Sequence, residues 1–74
     1  MIDKKFGQVL KNLRMSKGLS QEAFAHNVGL HRTYISQLER GLKSPSLRTQ
    51  EKLCAELGVS LVEFMQRLER EPNP

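Results

Sequence analysis

The residues best suited to chemistry in this sequence form a polar run from position 31 to position 37. On a helix, four of their side chains share one outward arc, because each residue advances about 100°. These four are Arg32, Thr33, Ser36 and Gln37. An arginine can donate two hydrogen bonds to a guanine edge, and a glutamine can pair in the same way with adenine. The run is therefore suited to reading bases in a DNA major groove, with a solvated helix surface as the alternative.

The elements that must position this run are two short helices joined by a tight turn. Ile35 and Leu38 keep the spacing of a buried edge behind the polar arc. The preceding helix opens at Ser20, whose hydroxyl can accept a hydrogen bond from a first-turn amide. It ends at Gly29, a residue type that tolerates the left-handed backbone conformation found at the C-terminal end of a helix. Leu30 is then expected to pack beneath the turn. The second helix is thus anchored behind and rich in hydrogen-bonding groups in front.

Three further helices are predicted around this pair. Apolar residues three and four apart predict a first helix from about Asp3 to Met15. A fourth helix is predicted to follow Ser46, with an inner face formed by Leu47, Leu53, Cys54 and Leu57. A last helix opens at Ser60 in a capping-box pattern with Glu63 and runs to about residue 70. Residues 71–74 are predicted to be a disordered tail.

The central motif reads SQEAFA at 20–25, GL at 29–30 and ISQLERG at 35–41. It closely resembles the Xre-type family of helix-turn-helix regulators, which includes phage repressors and Cro. The sub-pattern HRTYIS at 31–36 is also similar to the controller proteins of bacterial restriction-modification systems. The resemblance implies an all-α, five-helix repressor-like bundle with a central helix-turn-helix. It also implies one DNA-binding domain over residues 1–70 that ends in a dimerisation helix.

The resemblance assigns expected roles to individual side chains. The base-facing positions of the family match the four arc residues, among which Arg32 is the leading candidate because it lies in the first turn. Gln21 matches a phosphate-binding position at the start of the second helix, with an ordinary first-turn glutamine as the alternative. Further phosphate contacts are expected from position rather than from the resemblance, because these residues flank the motif or lie at the edge of the recognition helix: Lys17, His31, Tyr34, Arg40 and Lys43.

For two of these residues, His31 and Tyr34, roles other than a phosphate contact are also open. Arg14 and Glu39 are expected to have a structural role. His31 could instead cap the third helix or face water, and the ring of Tyr34 could pack along that helix. Arg14 and Glu39 lie among apolar residues, and the resemblance implies that they form a partly buried ion pair between the first and third helices.

The last helix carries more apolar surface than one small core needs. Phe64 is expected to enter the core. The remaining apolar residues are candidates for a two-fold interface, which would suit a palindromic operator, although all four could instead be core. They are Leu61, Val62, Met65 and Leu68.

Charge and composition narrow the class of protein. Residues 1–48 hold 9 Lys and Arg against 3 Asp and Glu, whereas residues 49–74 hold 3 against 5, so the positive charge lies in the half that contains the motif. Such a field attracts phosphates.

The single cysteine excludes an intramolecular disulfide, and Cys54 is expected to be a small core residue. No apolar run approaches the roughly 20 residues of a membrane span, and the beginning of the sequence does not resemble a signal peptide.

No catalytic site, metal site, cofactor or small-molecule ligand is predicted. The two histidines lack a thiolate or carboxylate cluster, and no nucleophile, base and orienting group are recognisable. The expected partners are double-stranded DNA, a second copy of the chain and, as a further candidate, RNA polymerase, in the cytoplasm. The rival hypothesis is an antitoxin-like or adaptor module that uses a helix-turn-helix scaffold to bind another protein.

Overall fold

A computed structural model describes residues 1–72, which form five α-helices and no strand. The helices are α1 (Ile2–Ser16), α2 (Gln21–Val28), α3 (Arg32–Glu39), α4 (Leu47–Leu57) and α5 (Leu61–Arg70). This confirms the all-α, five-helix prediction. Of the tail predicted at 71–74, Glu71 and Pro72 lie beyond α5 in non-helical backbone, and residues 73–74 fall outside the described part.

Serine side chains fix the start of three helices, as predicted. Ser20 Oγ accepts a hydrogen bond from the backbone amide of Ala23 at 3.0 Å, and Ser46 caps α4 in the same way. Ser60 and Glu63 form the predicted capping box, in which each side chain accepts from the other residue's backbone amide. Each cap contributes about 1 kcal/mol by satisfying an otherwise free amide.

The turn between α2 and α3 depends on a left-handed residue. Gly29 has φ +72°, and the backbone amide of Leu30 then reaches back to the carbonyl of Ala25 at 2.9 Å. This closure satisfies a carbonyl at the end of α2 and turns the chain directly into α3. The turn therefore sets the angle between the two helices.

A single apolar cluster, drawn from all five helices, holds the bundle together. Phe24 and Phe64 are fully buried, and the Phe64 ring meets Phe6 at a centroid distance of 4.7 Å. Cys54 is buried in the same cluster, as predicted, and burial raises the pKa of its thiol. Burying one large apolar side chain contributes about 1.5–3 kcal/mol, so the core supplies most of the stabilisation.

The prediction that Leu47 lies on the inner face of α4 was wrong. Leu47 is 70% exposed, and the core cluster along α4 begins only at Leu53. Leu47 is the first residue of the helix and lies beyond the end of the core, beside Leu61 and the charged Arg48 and Glu51. Helical periodicity gives the direction of a side chain, but it does not give the point along the axis where the core stops.

The backbones of α1 and α3 touch at Gly7. A Cβ atom added there would contact the carbonyl oxygen of Leu38 and would lie 2.6 Å from that of Glu39. Only a glycine permits this approach, since real Cβ atoms do not come so close to backbone oxygens. The position of α3 is therefore set directly by the surface of α1.

Candidate nucleic-acid interface

The polar arc of α3 faces away from the core. Ile35 and Leu38 are fully buried on the opposite side of the helix. Arg32 and Thr33 are exposed in the first turn, and Ser36 and Gln37 are half-buried one turn later. The structure therefore brings the four predicted base-contact residues to one side of α3, and their contact with bases stays a prediction.

An ion pair between Arg14 and Glu39 ties α3 to α1. The Arg14 guanidinium donates to both oxygens of the Glu39 carboxylate, at 2.6 Å from Nε and 3.1 Å from Nη2. A third bond, from Nη1, reaches the carbonyl oxygen of Leu19 at 2.7 Å. The two side chains are only 10% and 3% exposed. This bidentate arrangement is the structural pair that the resemblance implied.

Gln21 joins the same ion pair. Its Nε2 atom donates to Glu39 Oε1 at 3.0 Å, so one carboxylate holds side chains from α1 and α2 to the end of α3. A primary amide carries two N–H groups and one carbonyl oxygen. This bond uses one N–H group and leaves the rest of the half-buried amide for another partner, so the predicted phosphate contact remains compatible with it.

An open groove of about 880 Å³ connects the start of α2 with the start of α3. Ser20 and Gln21 line one part of it, and Arg32 lines another. The groove therefore places Gln21, the predicted phosphate contact of α2, and Arg32, the leading base-reading candidate, on one surface. Glu22 also lines it, in the first turn of α2, where the positive helix end offsets its charge.

The structure bears on the alternatives for two aromatic residues, His31 and Tyr34. His31 occupies the N-cap position of α3, but its side chain makes no capping hydrogen bond, so the capping alternative was wrong and the imidazole is exposed. Tyr34 is half-buried and packs against the core cluster. Its side chain therefore contributes to packing, and contact of its hydroxyl with a phosphate stays a prediction.

Among the three flanking cations, two lie where α3 ends and one lies elsewhere. Arg40 follows the last residue of α3 directly, and Lys43 is exposed in the following loop. The Lys17 ammonium instead lies 3.5 Å from the point that a Cβ at Gly58 would occupy, at the C-terminal end of α4. A cation is favourable there because the end of a helix carries partial negative charge. That placement gives Lys17 a structural explanation, and its phosphate contact stays only a prediction.

The predicted interface residues of α5 divide into core and surface. Leu68 is 7% exposed and belongs to the core cluster, so it offers little surface to a partner. Leu61 and Met65 are half-buried, whereas Val62 is 65% exposed. The exposed Leu47 adjoins Leu61. Leu47 was predicted to be a core residue and was therefore not among the expected interface residues. We call Leu47, Leu61, Val62 and Met65 the apolar patch.

Two further features bear on the class of site. Within the described residues, no three His, Cys, Asp or Glu side chains are placed to hold a metal ion together. Among residues 1–72, no helix has both the length and the apolar character that a membrane span needs.

Comparison with known proteins agrees with this geometry. A helix-turn-helix family profile matches residues 10–64. The control protein C.MunI of Mycoplasma sp is 46% identical over 68 residues, a region that covers 90% of this chain and 92% of the relative. Among solved structures, the restriction-modification controller protein C.AhdI from Aeromonas hydrophila has a TM-score of 0.80 and 44% identity, over 84% of this chain and 94% of that one.

A second controller protein, C.Esp1396I, was solved as a tetramer in complex with its natural 35-base-pair operator. It has a TM-score of 0.87 and 35% identity, over 96% of this chain and 93% of that chain. The predicted resemblance to helix-turn-helix regulators and to controller proteins is thereby confirmed. The chain belongs to the helix-turn-helix family of transcriptional regulators.

Proposed function

We propose that this protein is a sequence-specific DNA-binding regulator that binds a palindromic operator as a homodimer and controls restriction-modification genes. The observation that carries the proposal is the orientation of α3, which buries Ile35 and Leu38 and turns its hydrogen-bonding side outward. A major groove admits one such helix and displays a different donor and acceptor pattern for each base pair. The similarity to controller proteins, one of them solved with its operator, supports the genetic role.

Docking and base reading fall to different side chains in this proposal. The start of α2 with Gln21, and Arg40 and Lys43 after α3, would hold phosphates and set the register on the duplex. Arg32, Thr33 and Gln37 would discriminate bases, and the short side chain of Ser36 would contribute least. The Arg14–Glu39 pair would keep these two sets of residues in a fixed relation.

The apolar patch supports association of two copies. An isologous interface brings the same patch of each copy together, so each residue meets its own symmetry partner or a near neighbour. Arg48 and Glu51 border the patch beside Leu47 and Leu61, and opposite charges on one rim are self-complementary across a two-fold axis. Two recognition helices would then lie about 34 Å apart, one turn of DNA. Contact with RNA polymerase stays a prediction from the resemblance.

The experiment that tests the function is selection of bound sequences from a random duplex pool at about 0.15 M salt, where non-specific binding is weak. The eluted complex is then sized by light scattering. A palindromic sequence bound by dimers would support the proposal. Failure to enrich any sequence, together with a monomeric protein, would contradict it and favour the rival protein-interaction module.

Substitution of Arg32 by alanine should lose discrimination at one base pair of each half-site, by about 1–3 kcal/mol. Lys43→Ala should instead weaken binding to all sequences alike, because a phosphate contact carries no sequence information. Competition binding with operators changed one position at a time separates the two effects. Equal losses on every sequence for both variants would contradict the assigned roles.

Val62→Lys should weaken dimerisation about tenfold or more, which corresponds to about 1.4 kcal/mol. A lysine in the apolar patch would place two like charges near a two-fold axis, but it would leave the folded monomer intact because Val62 is 65% exposed. Sedimentation equilibrium measures the change. Met15→Lys is the matched control, since Met15 is 58% exposed on α1, outside the patch. Equal dimerisation constants for both variants would show that the apolar patch is not part of the dimer interface.

A further inference from the structure

The first turn of α1 lies directly against the loop that follows α3. Gly41 has φ +73°, and a Cβ atom there would lie 2.6 Å from Lys4 Cγ and 2.9 Å from Lys4 Cα. No side chain fits between the two residues, so the stem of Lys4 rests on the backbone of the loop. Residues 37 positions apart in the sequence are thereby neighbours.

A hydrogen bond fastens the same loop a few residues later. Ser44 Oγ donates to Asp3 Oδ1 at 2.7 Å. The loop between these contacts also closes α3, because the backbone amide of Leu42 reaches the carbonyl of Gln37 at 2.9 Å. The segment from Gly41 to Ser44 is thus held at one end by α3 and along its length by α1. We call Asp3, Lys4, Gly41 and Ser44 the loop latch.

The loop latch brings together cations that the sequence separates. Lys4 is exposed, as are Arg40 and Lys43 on the two sides of Gly41. Along the chain, Glu39 is the acid nearest to Arg40 and Lys43, but its carboxylate is turned inward and paired with Arg14. Asp3 is occupied by the Ser44 hydroxyl, and the positive end of α1 offsets its charge. The exposed charge at this corner is therefore mainly positive.

We propose that Lys4 is a phosphate-contacting residue of the DNA interface, and that the loop latch presents it together with Lys43 to one stretch of DNA backbone. This inference rests on the proposed function and extends its contact surface to α1. Exposed lysines that reach the phosphates of a duplex displace condensed counterions, so each contact adds to the salt dependence of binding. Lys4 is not among the phosphate contacts expected from the sequence, because only the fold brings it beside the loop.

The test measures operator affinity against salt concentration for the unsubstituted protein and four variants. The slope of log K against log salt is negative, and removing one phosphate contact should make it shallower by about 0.9 per half-site, or about 1.8 for a dimer. We expect this shallower slope for Lys4→Ala and for Lys43→Ala. Lys52→Ala is the matched control, since Lys52 is equally a single exposed lysine but lies on α4 beside Asn27 and Glu56. Its slope should equal that of the unsubstituted protein.

Ser44→Ala tests the latch separately from the charge. It removes the hydrogen bond to Asp3 but no cation, so we expect about two- to tenfold weaker binding with an unchanged slope. If its affinity also stays unchanged, the latch does not present Lys43 and that half of the proposal is wrong.

The outcomes separate this inference from the function on which it rests. If Lys43→Ala makes the slope shallower and Lys4→Ala behaves like Lys52→Ala, the inference is overturned and the regulator function stands. If the unsubstituted protein prefers no duplex sequence, both are overturned. A shallower slope for Lys4→Ala than for Lys52→Ala supports the inference.

Discussion

Replacing Glu39 by alanine should lower the free energy of unfolding by about 3–5 kcal/mol, the cost of leaving one charge of a buried pair without its partner. The Glu39 side chain is only 3% exposed and receives three hydrogen bonds, two from Arg14 and one from Gln21. A domain of this size has only about 4–11 kcal/mol of stability in total. Chemical denaturation followed by far-ultraviolet circular dichroism gives the difference directly.

Two companion variants define what the loss means. Glu39→Gln keeps the shape and one acceptor oxygen, so it should lose less than the alanine variant. Glu69→Ala removes an exposed carboxylate from α5 and should change stability by less than about 0.5 kcal/mol. If Glu39→Ala cost less than about 1 kcal/mol, the Arg14–Glu39 pair would contribute no more than an exposed ion pair does. The structural role assigned to Glu39 would then be wrong.

Replacing Gly7 by alanine should cost about 3 kcal/mol, at the upper end of the range for overpacked sites. The added methyl group would meet the carbonyl oxygens of Leu38 and Glu39. These are backbone atoms, so no side chain can move aside and the two helices must separate. Alanine is intrinsically favoured over glycine in a helix by about 1 kcal/mol, and the expected loss remains after that gain.

The Gly7 variant should also affect DNA binding, because α3 would be displaced. We expect weaker operator binding even at temperatures where the variant is fully folded, measured beside its denaturation midpoint. Lys11→Ala is the control, because Lys11 is exposed on the same helix and its replacement should not displace α3. Any gain in stability for Gly7→Ala would contradict the close approach of α1 and α3.

The features of the fold that were predictable from sequence are those that depend on neighbours along the chain. The Ser60–Glu63 capping box joins residues three apart, and Gly29 stops α2 through its own backbone. The exposure of Leu47 and the burial of Leu68 were not predictable, because both depend on where the shared core ends. Periodicity within one helix carries no information on that boundary.

The candidate site divides in the same way. The outward arc of α3 follows from helical spacing, and the Arg14–Glu39 pair was expected from resemblance. The bond from Gln21 to Glu39 and the bond from Ser44 to Asp3 join residues 18 and 41 positions apart. Such contacts arise only when helices are packed together, and they depend on distances that no local pattern encodes.

The burial of Cys54 has a practical consequence for measurements on this protein. A thiol reacts as its thiolate, and burial both shields this sulfur and raises its pKa. Alkylating reagents should therefore modify it only when the bundle opens, so the rate of modification reports the population or rate of opening. Since this is the one cysteine of the chain, its modification is an intrinsic probe of unfolding that needs no added label.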